Sequence, residues 1–298
     1  MTTSSEPTSA APASPDRATF GQRLRAATGR HGPLCAGIDP HRALVESWGL
    51  TYDLDGLRTF TRSCVDAFGG HVAIVKPQSA FFEVFGSGGV AVLEEAIRDL
   101  RAAGTLVLLD AKRGDIGSTM SAYAEAYLGA AAVSPVDALT ASPYLGYESL
   151  RPALDTAAAH GRGLFVLALT SNPEGASVQH ARRDDVSVAG SMVAGATSEN
   201  AAAAAAGDLG STGLVVGATV GSAVQDLGLD LASVNGPLLA PGVGVQGGTA
   251  DDLRRVFGDA LGNVLPASSR EVLSAGPDVT DLRDRAARTN ETLAALLT

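Results

Sequence analysis

From about residue 34 onward, short apolar runs alternate with amphipathic or alanine-rich stretches, and few folds accept that order. A strand followed by a helix and then another strand builds a parallel sheet whose faces are covered by the helices. Eight runs read as strands: 34–39, 71–76, 105–112, 137–142, 163–170, 212–218, 236–242 and the weaker 262–268. Between and after them, helices are predicted over 57–68, 90–103, 121–131, 148–160, 188–208, 220–229, 251–260 and 279–297. The fold class predicted is α/β, a single-domain (β/α)8 TIM barrel occupying residues 18–298. A doubly wound open sheet shares the alternation, but no GxGxxG follows the first strand.

The first 17 residues, rich in Ser, Thr, Ala and Pro, read as a disordered tail. They lack the basic and apolar regions of a secretory signal. No apolar run approaches the roughly 18 residues needed to span a bilayer, and no membrane partner is expected. With a net charge of −10 and no basic patch, nucleic acid is not an expected partner either. Cys35 and Cys64 sit in apolar contexts without metal-ligand spacing, which suits buried thiols and a cytoplasmic location.

In such a barrel the reaction site lies at the carboxyl ends of the strands, where polar residues collect in this sequence. Asp39 ends the first strand run, Lys76 the second, and Asp110 and Lys112 the third. Side chains alternate along a strand, so Asp110 and Lys112 share a face, and Asp115 follows in a tight Gly-Asp turn. A salt-bridge network locking the strand ends is the bland alternative. Charges gathered at the ends of three successive strands favour catalysis, because their desolvation is costly without a task. Two flanking aspartates favour the ammonium form of Lys112, which suits it to donating a proton rather than attacking a carbonyl.

The seventh strand run leads into APGVGVQGGT, and Arg270 follows the eighth. Glycine amides and an arginine at these two positions suit a phosphate group. The 171–200 segment is too long for an ordinary βα loop, so it either covers the site or carries an extra small element.

Several motifs in order, CAGIDPH, VKPQSAFFE, LLDAKRGDIGST, TASPYLG, LALTSNPEG and APGVGVQGG, resemble the orotidine 5′-phosphate decarboxylase family, in its longer bacterial branch. The resemblance runs from Gly32 to about Gly276. It implies cofactor-free and metal-free decarboxylation of orotidine 5′-phosphate to UMP in pyrimidine biosynthesis. Lys112, Asp110, Asp115 and Lys76 match the family's catalytic array. Asp39 matches its ribose-binding aspartate, Ser171 its serine near the pyrimidine, and Gln246, Gly247 and Arg270 its phosphate ligands. Short-chain members carry Gly-Arg after strand eight, whereas Arg270 here follows Ser268 and Ser269. The resemblance also implies a homodimer in which Asp115, Ile116 and Thr119 complete the partner's site.

Two rival readings stand beside this one. One is a sister barrel lyase with the same Asp-x-Lys-x-x-Asp pattern that uses Mg²⁺ to stabilise an enediolate. The other is a nucleotide-binding protein without turnover.

Overall fold

The computed structural model describes residues 18–243 and 249–297, so the tail expected over 1–17 lies outside them. The strands are β1 (Cys35–Ile38), β2 (Ile74–Pro77), β3 (Leu106–Arg113), β4 (Ala138–Ala141), β5 (Gly163–Leu169), β6 (Thr212–Val216), β7 (Leu238–Pro241) and β8 (Val264–Ser268). Each pairs in parallel with its neighbours in chain order, and β8 returns to β1 to close the barrel. The predicted (β/α)8 architecture is therefore the one that forms.

The period-two pattern of the strands divides the core into two layers. Cys35, Ile74, Leu108, Phe165, Val215, Leu239 and Leu265 fill the barrel interior. Ala36, Val75, Val107, Leu139, Val166 and Leu214 face outward, beneath the helices. Both layers are buried, which is why the strands read as nearly continuous apolar runs.

The main helices are α1 (Phe20–His31), α2 (Leu54–Phe68), α3 (Gly86–Ala102), α4 (Gly117–Leu128), α5 (Arg151–Ala159), α6 (Val188–Ala205), α7 (Ala250–Phe257) and α8 (Val279–Leu296). Helix α1 had no counterpart among the expected elements. A Thr19/Gln22 capping box starts it, and it packs against the amino-terminal end of the barrel. There Phe20, fully buried, sets its ring edge-to-face against Phe165 with centroids 5.9 Å apart. Gly163 makes this approach possible, since a Cβ on it would run into the Phe20 ring.

After β6 the expected helix over 220–229 shrinks to the single turn Ala223–Asp226. Gly221 and Gly228 flank it with φ near +65°, outside the helical region, and so limit its length.

Candidate active site

Three charged side chains meet at the carboxyl end of the barrel because β2 and β3 are register neighbours. Lys76 is 7% exposed, and its Nζ lies 3.0 Å from Asp110 Oδ2. Lys112 Nζ reaches the other oxygen, Oδ1, at 2.6 Å. The Asp110 carboxylate thus stands between two ammonium groups. Two neutral donors complete its shell: Gln78 Nε2 at 3.2 Å to Oδ2 and Thr140 Oγ1 at 2.9 Å to Oδ1. A carboxylate this buried requires such saturation.

The array departs from plain strand alternation at one point. Between Leu109 and Arg113 the β3 backbone advances four residues while β4 advances two, from Leu139 to Ala141. Lys112 takes up part of the excess with φ +47°, a left-handed conformation uncommon for a residue with a side chain. The Thr140 hydroxyl accepts the Lys112 N–H at 2.9 Å, so the irregular backbone keeps a hydrogen-bond partner. The Lys112 side chain stays 43% exposed, with its ammonium at once anchored and open to the barrel mouth.

Burial by itself would raise the Asp110 pKa, but Lys76 and Lys112 outweigh it and the carboxyl is held at about 2. For Lys76 burial disfavours the charge, and Asp39 and Asp110 reverse that, holding it above the ordinary lysine value. Both members of the pair are therefore ionised at neutral pH. Beneath them in the barrel, burial pushes the Cys35 thiol up to about 12, so it stays a neutral core side chain. Cys64 is likewise buried and free.

Beside the array lies a cavity of about 210 Å³ whose lining includes Gly37, Asp39, Lys76, Pro241, Ser269 and Arg270. Ser269 Oγ donates to Asp39 Oδ2 at 2.6 Å, while the buried Asp39 Oδ1 has no hydrogen-bond partner among the described residues. An unpaired carboxylate oxygen against a cavity is suited to receiving a ligand hydroxyl. Gly37 permits the arrangement, because a Cβ there would collide with the Ser269 side chain. Arg270 lines the same cavity from the first turn after β8, exposed and without an ion-pair partner among the described residues. Gln246 and Gly247 lie outside the described residues.

Other sequence-predicted residues stand apart from this cluster. Asp115 Oδ1 accepts the Ile116 N–H at 2.8 Å, and among the described residues no cation lies within ion-pair distance of Asp115. Ile116 is 62% exposed at the start of α4, and Thr119 is exposed one turn later. Ser171 is exposed just past β5, beside Gly217. The long segment that follows carries an extra small element: a short helix, Ala176–Gln179, and a hairpin pairing Arg182–Arg183 with Val186–Ser187. Gln179 fastens it by donating to Thr170 Oγ1 at 2.7 Å and accepting from Thr170 N at 2.9 Å.

Thr140, Gln78 and Ser269 were not singled out from sequence. For Thr140 the signal was present, since Ala138 and Thr140 share the inward face of β4, adjacent to Asp110. Among the described residues no group of three His, Cys, Asp or Glu side chains is gathered as a metal-ligand cluster.

A family model described as Orotidine 5′-phosphate decarboxylase / HUMPS family matches residues 32–284. An orotidine 5′-phosphate decarboxylase of Salinispora tropica is 58% identical over 280 residues, spanning 94% of this chain and 99% of the relative. A Streptomyces avermitilis crystal structure superposes with a TM-score of 0.89 at 56% identity, covering 94% of this chain and 96% of that one. The Leishmania donovani OMP decarboxylase structure matches with a TM-score of 0.70 at 29% identity, covering 94% and 98% respectively.

Proposed function

The chain belongs to the orotidine 5′-phosphate decarboxylase / HUMPS family, and on that premise we propose that it converts orotidine 5′-phosphate to UMP and CO₂. The observation that carries the proposal is the Asp110 carboxylate held between Lys76 and Lys112 at the barrel mouth. The C6–carboxyl bond breaks, CO₂ departs, and the bonding pair stays on C6. Lys112 stabilises that charge and delivers its proton to C6, and solvent reprotonates the amine. Asp110 fixes the ammonium in place through the 2.6 Å contact, and Lys76 balances the added negative charge from below.

Other residues hold the ligand. Asp39 Oδ1 accepts from the ribose, Ser171 meets the pyrimidine, and Arg270 with Gln246 and Gly247 takes the phosphate. Binding energy gathered at the phosphate serves the reaction at the far end of the molecule. Asp115, Ile116 and Thr119 reach into the partner's site of a homodimer, a reading supported by the exposure of Ile116 and Thr119 and by the lack of an ion pair for Asp115 among the described residues of its own chain. The enzyme acts in the cytoplasm, whose reducing conditions suit two free buried thiols. No described helix is long and apolar enough to cross a membrane.

A spectrophotometric assay with orotidine 5′-phosphate, run with and without EDTA, tests this. Turnover unaffected by EDTA is expected. Turnover abolished by the chelator would favour the Mg²⁺-dependent lyase, and tight UMP binding without CO₂ release would favour a binding protein.

A further inference from the structure

At the opposite end of the barrel, four arginines, Arg23, Arg30, Arg98 and Arg101, line a cavity of about 670 Å³ together with one carboxylate, Asp137. Leu106, at the start of β3, is part of its wall. Leu106 precedes Lys112 by six residues on β3, at most about 20 Å of extended chain, so the cavity and the reaction site lie at opposite ends of the strand.

The one acid in the lining is already fully used. Asp137 Oδ1 takes Arg23 Nη1 at 2.6 Å, and Oδ2 takes Arg101 Nε at 3.2 Å and the Val107 N–H at 3.1 Å. Much donor capacity is left over. Among the described residues Arg101 commits only Nε. Among the described residues the one carboxylate within ion-pair distance of Arg98 is Asp99 at 3.9 Å, which is itself engaged by Arg62 at 2.9 Å. Arg30 makes no ion pair among the described residues, and its helix C-terminus uses only part of a guanidinium's charge. A local excess of positive charge in a chain of net charge −10 is not a general surface property. Guanidinium forks match phosphate oxygens two at a time. The volume falls within the range of small-molecule sites, and Ala27, Ile97 and Pro135 supply an apolar wall.

We propose that this cavity is a second ligand site, one that binds a small molecule bearing a polyphosphate. Arg30, Arg98 and Arg101 grip the anion, and Asp137 holds Arg23 and Arg101 in place. The site stands independently of the reaction assigned to the other end of the barrel.

Calorimetric titration of the full chain with inorganic pyrophosphate tests it, using wild type, Arg270→Ala and Arg30→Ser/Arg98→Ser. We expect a Kd below about 1 mM in wild type and Arg270→Ala, weakened about tenfold or more in the double variant. The ligand-free double variant should melt within about 2 °C of wild type, since both side chains are exposed. Arg98→Glu is a second probe and should weaken binding by a similar factor. A nucleoside triphosphate binding more tightly than pyrophosphate would identify a nucleotide ligand; equal affinity would identify the inorganic anion. Either supports the site. Equal pyrophosphate affinity in wild type and the double variant, loss confined to Arg270→Ala, or no wild-type binding below about 10 mM would overturn it.

Discussion

The Thr140 hydroxyl accepts the backbone N–H of Lys112 at 2.9 Å, across the point where β3 breaks register with β4. Its own proton goes to Asp110 Oδ1, also at 2.9 Å. One buried hydroxyl therefore fixes both the backbone of the proposed proton donor and the carboxylate that aims its ammonium. Thr140→Val keeps the shape and removes the hydroxyl. With Lys112 less tightly placed, kcat should fall about tenfold to a hundredfold while KM changes little. Thr140→Ser should restore most of the rate. Steady-state kinetics on the three proteins check this, and a matching rise in KM alone would count against a positioning role.

Lys112→Ala removes the proposed proton donor but leaves Asp110 paired with Lys76 and bonded to Gln78 and Thr140. The fold should survive, because the Lys112 side chain is 43% exposed. Turnover should drop by about 10³-fold or more, in line with the loss of a general acid and a stabilising charge together. A circular dichroism spectrum confirms the fold, and near-normal turnover in such a sample would remove Lys112 from the chemistry.

The eight-fold barrel was legible because its strands are buried on both faces and its helices lie between them in regular order. The Lys76, Asp110 and Lys112 cluster was legible because strand-end position and alternation bring the three together. The irregularity in β3 was not, since LVLLDAKR reads as unbroken alternation and the bulge arises only from pairing with β4. Thr140 and Gln78 carry no charge pattern to mark them, and only the inward place of Thr140 on β4 beside Asp110 points to it. Helix α1 precedes the first strand and belongs to no β/α unit, so the strand-helix alternation does not announce it.

Acid sensitivity follows from Asp110. Its folded pKa of about 2 lies below the ordinary 3.8. A depressed carboxyl stabilises the fold above its ordinary pKa, and that contribution is lost as pH falls through the folded value. The difference amounts to about 2 kcal/mol. Asp110→Asn lacks this contribution and also strips Lys76 of its contacting carboxylate, which destabilises the neutral-pH protein by about 3–5 kcal/mol. The Tm gap between wild type and variant should therefore narrow as pH is lowered from about 5 to about 2. Thermal melts across that range provide the measurement, and a gap that stays constant would show that Asp110 is not held ionised.

Phe20 tests whether stability and chemistry are divided between the two ends of the barrel. Its ring is fully buried against Phe165 at the end remote from Lys112. Phe20→Ala should cost about 3–5 kcal/mol in denaturant unfolding. At temperatures where the variant remains folded, kcat and KM should stay close to wild type. A substantial loss of kcat in the folded variant would mean that α1 influences the strand ends through the barrel core.

Asp115 supplies the sharpest test of the dimer. It has no ion-pair partner in its own chain among the described residues, and its neighbour Ile116 is 62% exposed. If Asp115 completes the partner's site, Lys112→Ala and Asp115→Ala protomers fail for different sites. In a mixed dimer, one site combines both defects and the other combines an intact Lys112 with an intact Asp115. Random exchange of equal amounts makes half the dimers mixed, each with one sound site of two, so activity should recover to about a quarter of wild type. Each variant alone should be nearly inactive. Sites built within single chains would give no recovery on mixing, because no protomer in the mixture carries both groups.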